Sequence, residues 1–224
     1  MSHPYVLLVL AGGAALLGIQ WYFSEDQKNA RALSALHTTP IREAKAGEIV
    51  RIEGRVRVTD PALKAPLSGR ACVHYDLQVE KQASKNRMER VLRETKSISF
   101  AVEDESGVAT VEVSSFQATV EFDKRESPTE PTAAQLRLLR AHGLDDRGFL
   151  GLRKQLTFRE GVLEAGERVV VMGRVRLDDD PEGALLPSDD YREQRRQKRL
   201  VIEAYGQPVR ATDLRSAYSF SNVR

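Results

Sequence analysis

The chain has 224 residues, with 34 Lys and Arg, 32 Asp and Glu, and a formal net charge of +2. Because these charges are dense but nearly balanced, the chain lacks the large basic excess of a typical nucleic-acid-binding protein, and we expect no nucleic-acid partner. Its one cysteine, Cys72, excludes an intrachain disulfide, a cysteine-rich zinc site and a CxxC redox pair.

The first predicted element is an uncharged stretch, residues 4–23, which contains no Asp, Glu, Lys or Arg. Twenty residues at the helical rise of about 1.5 Å extend about 30 Å, the thickness of the hydrocarbon core of a bilayer. Trp21, Tyr22 and Phe23 close the stretch, as expected at a membrane interface. A cleaved signal peptide would need a positive n-region and small residues at a cleavage site, and a buried core helix is normally shorter. We therefore predict a transmembrane anchor over residues 1–24, with the lipid bilayer as a partner.

The flanks of the anchor predict its orientation. Only the α-amino group precedes the anchor as a cation. Four cationic residues follow it: Lys28, Arg31, Arg42 and Lys45. The positive-inside rule therefore predicts that the β domain lies in the cytosol. No second apolar span follows in the sequence, so we predict a single-pass protein. Small residues four positions apart would let two such helices approach closely, as Ala11 with Ala15 and Ala14 with Gly18. A homodimer through the membrane helix is one interpretation, and the general abundance of small residues in single spans is the other.

The rest of the chain predicts one mainly β domain. Residues 25–45 are predicted as a juxtamembrane helix and linker, residues 46–206 as the β domain and residues 207–224 as a tail. Alternating apolar residues separated by turn signals indicate an antiparallel barrel or sandwich. Strands are predicted at residues 48–59, 71–79, 91–103, 108–113, 117–122, 155–159, 167–177 and 200–205, with a charged hairpin tip at 80–90. One short helix is predicted at residues 133–142, where Gly143 ends it.

Two segments of the β domain repeat each other. Residues 46–60 read AGEIVRIEGRVRVTD and residues 165–179 read AGERVVVMGRVRLDD, with nine of fifteen positions identical in an ungapped alignment. Each segment is a turn and a strand with a glycine in its middle, where a strand can bend sharply enough to serve two faces of a barrel. The repeat predicts two equivalent barrel corners or a pseudo-duplicated barrel, and convergence of two similar strands is the alternative.

Cys72 and His74 are the first candidates for chemistry. Two residues apart on a predicted strand, they should share one face, opposite Tyr75, and could form a thiolate–imidazole pair. Catalytic Cys and His residues are usually brought together by the fold, and a lone strand cysteine is usually a small buried apolar residue. We favour the structural interpretation and predict no catalytic residue.

A partial calcium-loop pattern follows the strand that begins near residue 167. Asp178, Asp180, Glu182 and Asp189 occupy ligand positions of an EF-hand-like loop. Pro181 interrupts the pattern, an aspartate replaces the bidentate glutamate, and a strand instead of a helix enters the loop. A solvated acidic connection explains the same residues, and we predict no metal and no cofactor.

A basic run occupies residues 191–199, YREQRRQKR. Beside a membrane it could contact anionic headgroups, which contribute about 1 kcal/mol per cationic side chain at the surface. Glu193 and the preceding acidic loop weaken that attraction. An anionic-lipid sensor is therefore one interpretation of the run, and a solvated strand and turn is the other.

Several motifs in the β domain occur in a characteristic order. They are Gly54, the turn from Pro66 to Gly69, Cys72 with Tyr75, the hairpin from Asp104 to Gly107, and Gly166 and Gly173 in a late strand. This order resembles the GIDE domain, also called the BAM or beside-a-membrane domain, and the likeness extends over about residues 47–205. The chain resembles the RING-less prokaryotic members of that family.

The resemblance implies membrane tethering and partner binding. Eukaryotic relatives are membrane E3 ubiquitin ligases, but their ligase activity resides in a separate RING domain with Cys and His zinc ligands, which a chain with one cysteine lacks. The topology of the eukaryotic relatives places this domain across the membrane from the cytosol, against the charge count above. We predict a membrane-anchored, non-enzymatic binding or scaffolding module with a protein partner. The alternatives are a component of a ubiquitin-ligase system and the lipid sensor.

Overall fold

The computed structural model describes residues 32–33, 36–85, 87–148, 151–179 and 198–218. These residues form thirteen strands: β1 (Ile49–Val58), β2 (Leu63–Lys64), β3 (Ala71–Cys72), β4 (His74–Ser84), β5 (Arg87–Ser97), β6 (Phe100–Asp104), β7 (Gly107–Val111), β8 (Phe116–Thr119), β9 (Lys124–Glu126), β10 (Leu156–Leu163), β11 (Arg168–Asp179), β12 (Lys198–Glu203) and β13 (Val209–Thr212). The helical elements are a 3₁₀ turn (Ile41–Glu43), α1 (Ala133–Ala141) and α2 (Arg215–Tyr218).

Five strands close into a barrel in the order β1-β6-β7-β12-β11, because β11 pairs again with β1. The β7–β12 pairing is parallel and the other pairings of the ring are antiparallel. Inward-facing side chains fill this small barrel, as expected for so few strands. Its core includes Val50, Ile52, Phe100, Val102, Val111, Val171 and Ile202. The structure thus confirms a mainly β fold and shows a barrel.

A second sheet, in the order β5-β4-β10-β9, carries helix α1. Leu139 of α1 is buried against Val79, Leu156 and Phe158 of this sheet. Thr132 and Gln135 form a reciprocal capping box at the start of α1, which satisfies backbone groups that the first helical turn leaves without partners. The predicted helix is therefore confirmed.

The two repeated segments are paired partners in the barrel. β1 and β11 run antiparallel, and their pairing centres on Ile52 opposite Val171, which are equivalent positions of the repeat. At Gly54, β1 turns from β11 to β6, and at Gly173, β11 turns from β1 to β12. Each glycine permits a close approach: a Cβ atom would lie 2.5 Å from the Glu103 carbonyl oxygen at Gly54 and 2.5 Å from Cγ2 of Ile202 at Gly173.

The turns before these strands are equivalent as well. Gly47 and Gly166 have positive φ angles of 88° and 83°, which glycine adopts without strain. The Gly47 N–H donates to the Val175 carbonyl and the Gly166 N–H donates to the Val56 carbonyl, each at 2.8 Å. The prediction of two equivalent barrel corners is therefore confirmed.

Several predicted strand limits are wrong. The single strand predicted over residues 91–103 is two strands, β5 and β6, which belong to different sheets. Ile98 lies between them, where its N–H donates to the Val73 carbonyl at 2.9 Å and its side chain packs against the barrel core. The predicted hairpin tip at residues 80–90 is mostly strand, since β4 and β5 pair as far as Ser84 opposite Arg87. The predicted tail contains β13, which pairs with β11.

No helix within the described ranges is long and apolar enough to cross a bilayer. The predicted anchor, residues 4–23 with Trp21, Tyr22 and Phe23 at its end, lies outside those ranges.

Candidate functional site

Asp104 joins the β6–β7 turn to the segment that precedes β1. Its Oδ1 accepts hydrogen bonds from the N–H groups of Ser106 (2.6 Å) and Gly107 (2.9 Å), and its Oδ2 accepts one from the N–H of Ile41 (2.9 Å). Burial alone would raise the pKa of Asp104, but the hydrogen bonds from Ser106, Ile41 and Gly107 outweigh it and lower that pKa. The carboxylate is therefore held in its charged form.

Close packing adds to these hydrogen bonds. Ile41 is buried against the barrel core, and a Cβ atom at Gly107 would lie 3.2 Å from its Cγ2. The N–H of Arg42 also donates to Ser106 Oγ at 3.1 Å. We call Asp104, Ser106, Gly107 and Ile41 the clasp, because together they fix the 3₁₀ turn to the barrel.

A cleft of about 710 Å³ lies between the segment before β1 and the corner at Gly54. Both acidic and basic side chains line it, and two of them, Glu53 and Arg168, form an ion pair. Its lining includes Thr38, Arg42, Glu53, Gly54, Arg55 and Asp104. A cleft with this lining offers both signs of charge and both kinds of hydrogen-bonding group, which suits a polar peptide segment better than an apolar small molecule.

The turn from Pro66 to Gly69 is held by a fully buried carboxylate, Glu160 of β10. Glu160 accepts hydrogen bonds from the N–H groups of Leu67 (2.7 Å) and Ser68 (3.0 Å). Gly69 completes the turn with a φ of 71°. Sequence reasoning missed Glu160, although an acidic residue in a strand with buried apolar residues on both sides could have marked it as a paired buried group.

Cys72 is fully buried and packs with Tyr75 and Leu77. Burial, with Glu160 as a second cause, raises the pKa of Cys72 to about 11, so its thiol is protonated at neutral pH. Val73, which lies between β3 and β4, breaks the alternation of faces along the chain, because its side chain packs in the barrel core. Cys72 therefore lies on the Tyr75 face, and the prediction that it shares a face with His74 is wrong.

His74 lies on the opposite face of β4 and is 3% exposed. Its Nδ1 lies 2.8 Å from Ser97 Oγ, and its ring meets Phe116 edge-on with 5.7 Å between the centroids. Burial, assisted by the positive charge of Arg93, lowers the pKa of His74 to about 4. The imidazole is therefore neutral and remote from the thiol, and the two side chains cannot act as a nucleophile and base.

Of the four residues of the partial calcium pattern, Asp178 lies within the described residues. Asp178 is paired by two hydrogen bonds with Arg176, at 2.7 and 2.9 Å, which lower its pKa. Asp180, Glu182 and Asp189 lie outside the described residues, as does the basic run as far as residue 197. Within the described ranges, no three His, Cys, Asp or Glu side chains are grouped so that they could hold a metal ion.

A second cavity, of about 510 Å³, shares Arg168 with the cleft. Its lining includes Glu167 and Asp213, and Asp213 accepts a hydrogen bond from the Glu121 N–H at 2.9 Å. Burial raises the pKa of Asp213 to about 6. Sequence reasoning did not mark this cavity, because its carboxylates come from three separated segments.

Comparison with known proteins agrees with the motifs. A family model named GIDE and described as E3 ubiquitin ligase matches residues 71–191, which is more than half of the chain. The match includes Cys72, Tyr75, the clasp hairpin and both Gly166 and Gly173, whereas Gly54 and the turn from Pro66 to Gly69 precede it. No curated protein and no solved structure matches the chain. The chain belongs to the GIDE family.

Proposed function

We propose that this chain is a membrane-anchored binding module that recruits a protein partner at the cleft and does not itself catalyse a reaction. The clasp is the observation that carries this proposal. Because Asp104 binds the Ile41 N–H, the segment that follows the predicted anchor is a structural part of the β domain. The cleft then keeps a defined position relative to that segment, which lowers the cost of ordering on binding.

Two features of the sequence support anchoring. Residues 4–23 carry no charge over a length that matches a bilayer, and aromatic residues close the stretch. The cations that follow it favour an orientation with the β domain in the cytosol. Protease treatment of sealed vesicles tests this topology, because a β domain on the outer surface is degraded and one in the lumen is protected.

The buried thiol supports binding over group transfer. A cysteine that accepts ubiquitin as a thioester must be an accessible thiolate, whereas Cys72 is fully buried and its pKa is raised to about 11. The 224 residues contain one cysteine, which is too few for the cysteine-rich zinc sites of a RING domain. The description of the family as E3 ubiquitin ligase favours a second candidate, in which the module serves as the binding subunit of a ubiquitin-ligase system.

Photo-crosslinking in membranes tests the proposal. A photoreactive residue at Arg55, in the cleft, should capture one recurrent protein, whereas the same residue at Leu152, which is 71% exposed, should not. Equal labelling at both positions would contradict a binding site in the cleft. Formation of ubiquitin conjugates by the purified full chain with activating and conjugating enzymes would contradict a non-enzymatic role.

A further inference from the structure

We infer that a second surface of the β domain docks on the surface of the lipid bilayer. This surface lies next to the C-terminal end of residues 24–33, which follow the predicted anchor and which we call the tether. This surface, which we call the patch, consists of Leu36, Ile49, Arg174 and Tyr205. The inference rests on the membrane anchoring proposed above and adds which face of the domain meets the lipid.

Strand pairing and a cation–π contact place three members of the patch together on the outside of the barrel. Ile49 and Arg174 are direct partners in the β1–β11 pairing, so their side chains lie on the same face. The guanidinium carbon of Arg174 lies 4.1 Å from the centroid of the Tyr205 ring, which is a cation–π contact. Ile49 is 56% exposed and Tyr205 is 64% exposed, so together they form an exposed apolar patch.

Leu36 adjoins the patch at the edge of β1. Thr38 forms a parallel bridge with Arg51, and the Thr39 N–H donates to the Arg51 carbonyl at 2.8 Å. Leu36 precedes Thr38 by two residues, and Ile49 precedes Arg51 by two residues. Because the bridge is parallel, Leu36 and Ile49 lie at the same end of it. Leu36 is 37% exposed.

The chain that leads from the predicted anchor is packed on the same outer face. Leu33 is 1% exposed and lies in a cluster with Val170 and Met172 of β11. Met172 precedes Arg174 by two positions on that strand, so the two side chains point the same way. The patch therefore continues the surface on which the tether docks.

Chain length limits how far this surface can be from the membrane. Leu33 follows Phe23, the last residue of the predicted anchor, by ten positions. Ten residues extend about 15 Å in a helix and at most about 36 Å when fully extended. The docked tether thus keeps the outer face of β1 and β11 within that distance of the bilayer.

The side chains of the patch have the chemistry of an interfacial contact. Tyrosine favours the headgroup layer, and exposed Ile and Leu side chains gain from shallow burial beside it. An arginine held against an aromatic ring presents its guanidinium in a fixed orientation, which suits the phosphate of a lipid headgroup. A protein could use the same side chains, but the proximity enforced by the tether favours lipid.

Depth-dependent quenching in vesicles tests the inference with the full chain. The variant Ile49→Cys is labelled with an environment-sensitive maleimide dye and reconstituted in phosphatidylcholine–phosphatidylglycerol vesicles that contain spin-labelled lipid. The buried Cys72 leaves wild type as the unlabelled blank, and Leu152→Cys, in the connection before β10, is the matched control. We expect the dye at position 49 to lose most of its emission and the dye at position 152 to keep it. Adding Arg174→Glu and Tyr205→Ser should restore the emission at position 49.

Two results would overturn the inference while anchoring stands. One is a chain that floats with the vesicles although the dye at position 49 is quenched no more than the control. The other is a dye at position 49 that is shielded from aqueous iodide but not quenched by spin-labelled lipid, which would show that protein covers the patch. Failure of the chain to float with the vesicles would instead refute the anchoring itself, and the inference with it.

Discussion

Removal of the Asp104 carboxylate should loosen the segment that follows the predicted anchor. In Asp104→Ala, the N–H groups of Ile41, Ser106 and Gly107 lose the acceptor that they share. Each hydrogen bond to a charged group contributes about 1.5–3 kcal/mol when buried. Because this site is only partly buried and water can replace part of the interaction, we expect the free energy of unfolding to fall by about 2–4 kcal/mol.

The pH dependence gives this prediction a second readout. The pKa of Asp104 is lowered in the folded chain, so its contribution to stability is complete above the ordinary aspartate pKa of about 3.9. The contribution is lost as the pH falls through the lowered folded-state pKa. The difference between wild type and Asp104→Ala should therefore be largest at neutral pH and shrink in acid.

Urea denaturation at neutral and acidic pH measures both effects. Glu105→Ala is the matched control, since Glu105 is an exposed carboxylate in the same turn. Hydrogen exchange should show faster exchange of the Ile41 amide in Asp104→Ala than in the control. If both variants unfold with the same free energy, or if the loss in Asp104→Ala does not depend on pH, the clasp does not hold this segment as described.

Three further predictions concern positions in the fold. In Gly54→Ala, the added Cβ would lie 2.5 Å from a backbone carbonyl oxygen, so we expect a loss of about 2–4 kcal/mol in urea denaturation. Gly148→Ala, where the nearest atom is 3.7 Å away, should cost less than about 1 kcal/mol, and equal losses would refute the close approach. Glu160→Gln replaces one of two carboxylate acceptors by a donor, and we expect a loss of about 2–3 kcal/mol; an unchanged midpoint would show that the turn needs no charge. Burial lowers the folded-state pKa of His74 to about 4, so the free energy of unfolding should fall as the pH drops from about 6.5 towards 4. We expect a fall of up to about 3 kcal/mol relative to His74→Gln. Parallel pH profiles of the two proteins would contradict the burial of His74 in its neutral form.

Local sequence patterns predicted the strands of the barrel and its symmetry. Alternation and glycine placement located β1 and β11, and the repeat indicated that Gly54 and Gly173 would serve equivalent corners. These features depend on neighbours within one strand, where side-chain period and backbone freedom act directly. Gly143 marked the end of α1 for the same reason.

The misassigned positions depend on contacts between distant segments. Nothing near Val73 or Ile98 in the sequence distinguishes a strand that continues from one that passes to another sheet. Their backbone groups pair with each other and the side chains enter the barrel core, so tertiary packing overrides the local pattern. Glu160 was missed because its partners, the turn amides near Leu67, lie more than ninety residues earlier in the chain.

The clasp shows what part of the family motif does in this chain. The motif from Asp104 to Gly107 was predicted as a hairpin turn, and the turn is present. Its second role, to hold Ile41, involves a partner 63 residues earlier that no local pattern indicates. The motif therefore joins the barrel to the segment that precedes β1.

Sedimentation of the full-length chain without detergent is the direct test of membrane anchoring by residues 4–23. We predict that the chain pellets with membranes after ultracentrifugation, resists extraction by alkaline carbonate, and becomes soluble when residues 4–23 are deleted. A full-length chain that remains in the supernatant, or a deletion variant that still pellets after carbonate extraction, would contradict anchoring by this segment.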